Sequence, residues 1–318
     1  DVDGDALEQV CSMSASTIDR RLRPLKRAAM PRGMSLTRPA GEHLRNSVRI
    51  RKCADEIARL PGLAEADTVA HCGPRARGEF ARTLTMVDYA TNWTVSVTVR
   101  NNAKSNIRRA VDLAIPLFPF PVTCFDSDNG TESVNDELID WLQHKDIEQT
   151  RSRPYRKDQA TVESRNNHVV RRFAFYWRCD TEEQRDLPDR LWAKTYLLLN
   201  LFTPTRKPAR IEQGRDGRRR TVYDRPRTPW ARVLEYDAAS RADGGRGYVD
   251  DATRTRIENL IASTNPARLG REIAAIQDEL ERLSRERTEG MARRQGLDMG
   301  YLGKVIERMR ADAEQDNK

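Results

Sequence analysis

Apolar positions change their period along this chain, and the changes mark out its elements. Trp93, Val95, Val97 and Val99 alternate with hydroxyl-rich positions, the period-two signature of a half-buried strand. Residues 66–72, ended by Gly73-Pro74, and residues 80–90 predict two further strands. The short 90–92 connection predicts an antiparallel hairpin between the second and third. Ile107, Val111, Ala114 and Ile115 then recur at helical spacing until Pro116 ends the run. Val122-Thr123-Cys124-Phe125 predicts a buried strand, and Val134, Leu138, Trp141 and Leu142 a second helix. Residues 147–149 give a short fifth strand. A helix from about Ala160 carries Glu163 and continues through Val169, Val170, Phe173 and Trp177, and a further apolar helix spans 187–201. Three strands, helix, strand, helix, strand, helix is the order of an α/β core with a hairpin beside parallel crossover strands.

The flanks read differently. Residues 1–28 predict two short helices broken at Met13-Ser14, with Ser14 as N-cap of the second. Residues 29–60, rich in Pro, Gly and arginine, predict a basic linker, and residues 61–202 hold the core. In 203–236, nine Lys/Arg fall between Thr205 and Arg227 against three acids, with a hairpin tip at 213–217, so a small basic β-unit is expected. Residues 237–318 predict a flexible hinge at 241–246 and a helical tail. There Leu269, Ile273, Ile276, Leu280 and Leu283 form a stripe for packing within the chain, with dimerisation as the alternative.

Charge narrows the partners. Of 318 residues 33% are charged, with a net charge of +8 carried mostly on arginine, which favours a polyanion, nucleic acid before membrane. Five cysteines without paired spacing suit reduced thiols, and four histidines form no zinc pattern. No apolar run is long enough to span a membrane, so a cytoplasmic, nucleoid-associated protein is expected. The chain opens at Asp1 rather than Met, and a preceding segment is expected.

Candidate chemistry centres on residues 125–166. Asp128 follows an apolar strand in an Asp-Asn-Gly turn, Glu163 rides on a helix, and Asp67 lies within the first core strand. Taken singly the acids are ordinary: an Asp-Asn-Gly is commonly just a turn, and a helix Glu is commonly solvated. Together they gain meaning if the first and fourth core strands lie side by side, because the three carboxylates would then converge as hard oxygen ligands for Mg²⁺ or Mn²⁺. Two such ions suit in-line phosphoryl displacement. Asp88 and Asp126 are rivals; Asp88 reads as hairpin-turn chemistry, and Asp126 is set aside as facing away from Asp128. Arg151, Arg153, Arg156, Lys157 and Arg165, with Asn166 and Asn167, would line the site and guide phosphates.

Ser127–Glu132, Thr150–Tyr155 and Val162–Asn166 resemble the core of DDE transposases and retroviral-type integrases. Glu65–Gly73 and Tyr223–Pro229 are similar to a bacterial insertion-sequence branch, and Ser14–Leu22 to that branch's helix-turn-helix, so the resemblance covers roughly residues 7–236. It implies an RNase H-like mixed five-stranded sheet flanked by helices, with Asp67, Asp128 and Glu163 as catalytic metal ligands. It also implies two bound Mg²⁺ or Mn²⁺ ions and strand transfer of element ends into target double-stranded DNA by a homo-oligomer. Arg20, Arg21, Arg218, Arg219 and Arg220 join the expected DNA contacts. The chain departs from that pattern in two places. Only 163 − 128 = 35 positions separate the last two acids, one fewer than usual, the shortening falling at Lys157-Asp158, and Ser133 stands where an aromatic is usual. An inactive DNA-binding relic and an RNase H-like nuclease are the alternatives.

Overall fold

The computed structural model describes residues 8–9, 11–14, 16–22, 41, 47–50, 60–73, 75–128, 130, 133, 135–153, 160–213 and 219–295. Its centre is a mixed six-stranded sheet, one strand more than expected. In chain order the strands are β1 (Arg49–Ile50), β2 (Leu63–Ala70), β3 (Arg82–Asp88), β4 (Thr94–Val99), β5 (Cys124–Ser127) and β6 (Glu148–Arg151). Across the sheet the order is β1-β6-β5-β2-β3-β4. β3 and β4 form the expected antiparallel hairpin, β2 extends it antiparallel through β3, and β5 joins β2 in parallel as β6 joins β5. The first and fourth of the predicted strands are therefore the central pair. The extra strand β1 lies in the predicted linker and pairs in parallel with β6 through Arg49–Thr150 and Ile50–Arg151.

Helices cover both faces. α1 (Lys104–Ala114) and α2 (Asp136–His144) pack Ile107, Val111, Leu138 and Leu142 against Ala64, Ala66, Leu84 and Met86. Asn135 caps α2 by accepting the Leu138 N–H. On the opposite face Val69 meets a second cluster supplied by three helices. α3 begins as Ala160–Arg165, widens into a π-helical turn (Asn166–Val170) and ends as Arg171–Phe173. α4 (Glu182–Leu197) starts from a capping box between Thr181 and Gln184.

Beyond α4 a two-stranded hairpin, β7 (Pro208–Gln213) and β8 (Arg219–Tyr223), stands clear of the core. It is followed by α5 (Pro229–Ala242), α6 (Asp251–Ser263) and α7 (Pro266–Gln295). The basic β-unit thus stops at Tyr223, because Thr228 caps a helix that takes Pro229 at its first position. The expected hinge is a fixed turn. Buried Asp237 accepts the Tyr248 and Val249 N–H groups and the Arg241 and Arg254 guanidinium groups. Gly247 (φ +77°) approaches it so closely that an added Cβ would lie 2.3 Å from its Oδ1. Leu269, Ile273, Ile276 and Leu280 are buried among α3 and α4 residues, with Leu283 packed alongside, so the tail stripe serves the chain's own core.

Near the N-terminus, residues 16–22 are helical and Ser14 Oγ accepts the Thr17 N–H at 3.2 Å, the expected cap. Cys11, Cys72, Cys124 and Cys179 are free thiols. No helix among the described residues is long and apolar enough to cross a membrane.

Candidate active site

The central strand pair positions two of the candidate acids. β2 and β5 run parallel in the register Leu63–Cys124, Ala64–Phe125, Glu65–Asp126, Ala66–Ser127. Asp67 and Asp128 each follow immediately on that last pair: Asp128 just past the end of β5, and Asp67 within β2, at the point where β2 runs on beyond its β5 neighbour. Strand alternation sets Leu63, Glu65, Asp67 and Val69 on one face of β2. Val69 belongs to the cluster that includes α3 residues, so this is the face α3 covers.

Asp128 sits in the tight turn its sequence predicts, with Oδ1 accepting the Gly130 N–H at 2.9 Å. Burial pushes its carboxyl above the usual range, against the pull of that bond and of the Arg82 guanidinium. Arg82 is itself buried and donates to Thr68 Oγ1. Asp67 is held on two sides: Oδ1 accepts the Thr68 N–H at 2.7 Å and Oδ2 the Asn166 side-chain amide at 2.6 Å. Arg171, over the Tyr176 ring at 4.4 Å, adds a favourable charge interaction with Asp67.

Glu163 is exposed, on the helix that Asn166 fastens to Asp67. Among the described residues no three His, Cys, Asp or Glu side chains gather as a metal site. The three acids therefore do not form a closed cluster: Asp67 lies within β2, Asp128 just past the end of the neighbouring β5, and Glu163 on the covering helix. Two carboxylates with hard oxygen donors, one of them buried enough to penalise its charge, fit a divalent cation; completing the set requires the Glu163 side chain to turn inward.

The rival acids have other work. Asp88 is fully buried; it accepts the Gly62 N–H and both the N–H and hydroxyl of Thr91, and burial raises its carboxyl. Asp126 does not face away from Asp128. Residues two apart on a strand share a face, and Asp126 is buried there, accepting the Thr150 hydroxyl at 2.6 Å.

The basic positions divide as well. Arg151, expected to face phosphate, is buried and donates to the Val48 carbonyl beside the edge strand β1. Asn166 is likewise buried against Asp67. Arg165 is half-buried, and burial with the neighbouring Arg232 charge brings it down to about 10. Arg20, Arg21, Asn167, Arg219 and Arg220 are exposed, and Arg153 partly so. Arg156, Lys157 and Arg218 lie outside the described residues, as does the shortened Lys157-Asp158 position.

Sequence reading passed over Glu65, fully buried and accepting the Val162 N–H at 3.1 Å. The signal was available, since an acid two residues before Asp67 in an otherwise apolar strand must share its face. It also passed over the role of Asp224. That carboxylate receives both terminal nitrogens of Arg232, one of Arg227 and the Lys207 N–H, joining the base of the β7–β8 hairpin to α5.

Residues 58–157 match the model of the integrase core domain. The protein y4rM of Sinorhizobium fredii, itself uncharacterized, is 36% identical over 209 residues, which is 65% of this chain. The chain spans 59% of that relative's length. Similar solved structures include the catalytic core domain of BIV integrase, 15% identical with a TM-score of 0.38, covering 57% of this chain and 98% of that one. Another is the HTLV-2 integrase catalytic core domain in complex with magnesium, 16% identical with a TM-score of 0.36, covering 54% and 96%.

Proposed function

We propose that this chain, whose residues 58–157 match an integrase core domain, is a transposase-type polynucleotidyl transferase that cuts element ends and joins them to target double-stranded DNA. The observation that carries the reading is the parallel pairing of β2 with β5, whose register sets Asp67 and Asp128 at equivalent positions, each one residue beyond the Ala66–Ser127 pair, with the helix bearing Glu163 fastened over Asp67.

Asp67, Asp128 and Glu163 would hold the divalent ions, Mg²⁺ or Mn²⁺. Such ions, when bound, acidify an attacking water or 3′-hydroxyl and offset charge on the leaving oxygen. The chain's own groups prepare that site. Asn166 and the Thr68 N–H orient Asp67, and the Asx turn fixes Asp128. Exposed Glu163 closes the set from above. DNA is held outside the site, by the exposed Arg20 and Arg21 on the capped N-terminal helix and by Arg219 and Arg220 on β8. An exposed basic hairpin fits the width of a DNA major groove.

The test is Mg²⁺-dependent cleavage and joining of end-bearing DNA by the wild type and by Asp128→Asn. Joining by the wild type, lost in the variant while DNA affinity persists, is expected. Cleavage without joining would favour a nuclease, and binding without either a DNA-binding relic; activity retained by Asp128→Asn would overturn the site.

A further inference from the structure

Glu65 is wholly buried on β2, two residues before Asp67 and on the same face. Its carboxylate accepts the backbone N–H of Val162 across 97 residues of chain. Val162 is the third residue of α3, which begins at Ala160, and lies in its first turn, where N–H groups lack partners within the helix and negative charge is favoured. One turn on, Asn166 is fastened to Asp67. Val162 and Asn166 are both buried, so two bonds on one side of α3 fix its height and its rotation over β2. Glu163 follows Val162 directly, about 100° further round the axis, and its direction is set by the same two bonds.

From this we infer that Glu65 is a positioning residue: it holds the first turn of α3 against the central strand and thereby presents Glu163 to Asp67 and Asp128. The inference rests on the role given to Glu163 under the proposed function. Glu65 touches neither DNA nor the reacting atoms in this account; it acts through the Val162 amide.

The test compares Glu65→Leu and Glu65→Gln with the wild-type full chain by amide hydrogen exchange and by Mn²⁺-dependent DNA cleavage. In Glu65→Leu, protection across residues 161–165 should fall at least tenfold while β3 and α4 keep theirs. Its kcat should drop roughly 10–100-fold, because small misplacements of reacting groups cost that much, with KM for DNA unchanged. Glu65→Gln keeps an acceptor oxygen for Val162 and should restore both. Intact protection in Glu65→Leu, an unchanged kcat in a wild type that cleaves, or a Gln variant as impaired as Leu would overturn the proposal. A wild type that cleaves nothing would end the functional reading alone, since exchange still decides whether Glu65 holds the helix. Should Glu65→Leu lose protection everywhere, Glu65→Asp, with its carboxylate withdrawn by one methylene, is read by the same measurements. A loss confined to α3 supports the proposal, and full protection there overturns it.

Discussion

The side-chain amide of Asn166 donates to Asp67 Oδ2 at 2.6 Å, tying the covering helix to the central strand across 99 residues of sequence. The amide orients Asp67 without bringing a charge of its own, which suits the metal-ligand role proposed for that carboxylate. Replacing Asn166 with Leu keeps its bulk and removes the donor. Divalent-metal-dependent cleavage should fall about 10–100-fold, the usual cost of losing such a support. DNA affinity by fluorescence anisotropy should not change, because Asn166 is buried.

DNA binding should be steeply salt-dependent. Arg219 and Arg220 are exposed on a hairpin whose strands β7 and β8 are almost wholly exposed among the described residues. If both contact phosphate, the double Ala variant should flatten the slope of log affinity against log salt by about 1.8, at about 0.9 per contact. An anisotropy titration at several salt concentrations reads the slope; an unchanged value would remove the hairpin from the DNA surface.

Asp224 should matter for stability, and its effect should fade in acid. Hydrogen bonding from Arg232 first, with the Lys207 N–H and Arg227 adding, holds its carboxyl well below the usual carboxylate range. A depressed carboxylate stabilises the fold above its unfolded pKa, and that stability is lost as pH falls through the folded value. Asp224→Asn should therefore be less stable than the wild type near neutrality, by about 3 kcal/mol since Arg232 is left buried without its counter-charge. The two denaturation curves should draw together as pH drops below about 4.

The α7 stripe belongs to the folded core. Leu280 is fully buried among α3 and α4 residues, and Leu280→Ala should cost about 3 kcal/mol in urea unfolding. The midpoint should not depend on protein concentration, as it would if the stripe were an interface between copies.

Much of the core was legible because its residues alternate or recur at helical spacing. Val95 and Val99 announce β4, and Leu138 and Leu142 announce α2, since one buried face imposes one period. β1 was not legible: two residues, Arg49 and Ile50, are too few to show a period, and both are exposed. Nor was the burial of Arg151, because arginine is rarely buried and tertiary partners such as the Val48 carbonyl satisfy it there. The turn after α5 read as a hinge because its glycines mark flexibility in sequence, whereas Asp237 fixes it from a position the local pattern cannot reveal. At the candidate site the pattern names Asp67, Asp128 and Glu163 as residue types in order. That Glu163 stands exposed is not legible, because the reach from a helix residue to a strand depends on how the helix is fastened.

The π-helical turn at Asn166–Val170 bears on that fastening. Such a wide turn holds one residue more than an α-helix needs between the same two ends. A deletion elsewhere in α3 would turn everything beyond it by about 100°, whereas removing exposed His168 would let the wide turn relax to an ordinary one with Val162 and Phe173 still in place. The helix that presents Glu163 therefore carries its own slack, a point where the chain can change length without re-aiming the acid.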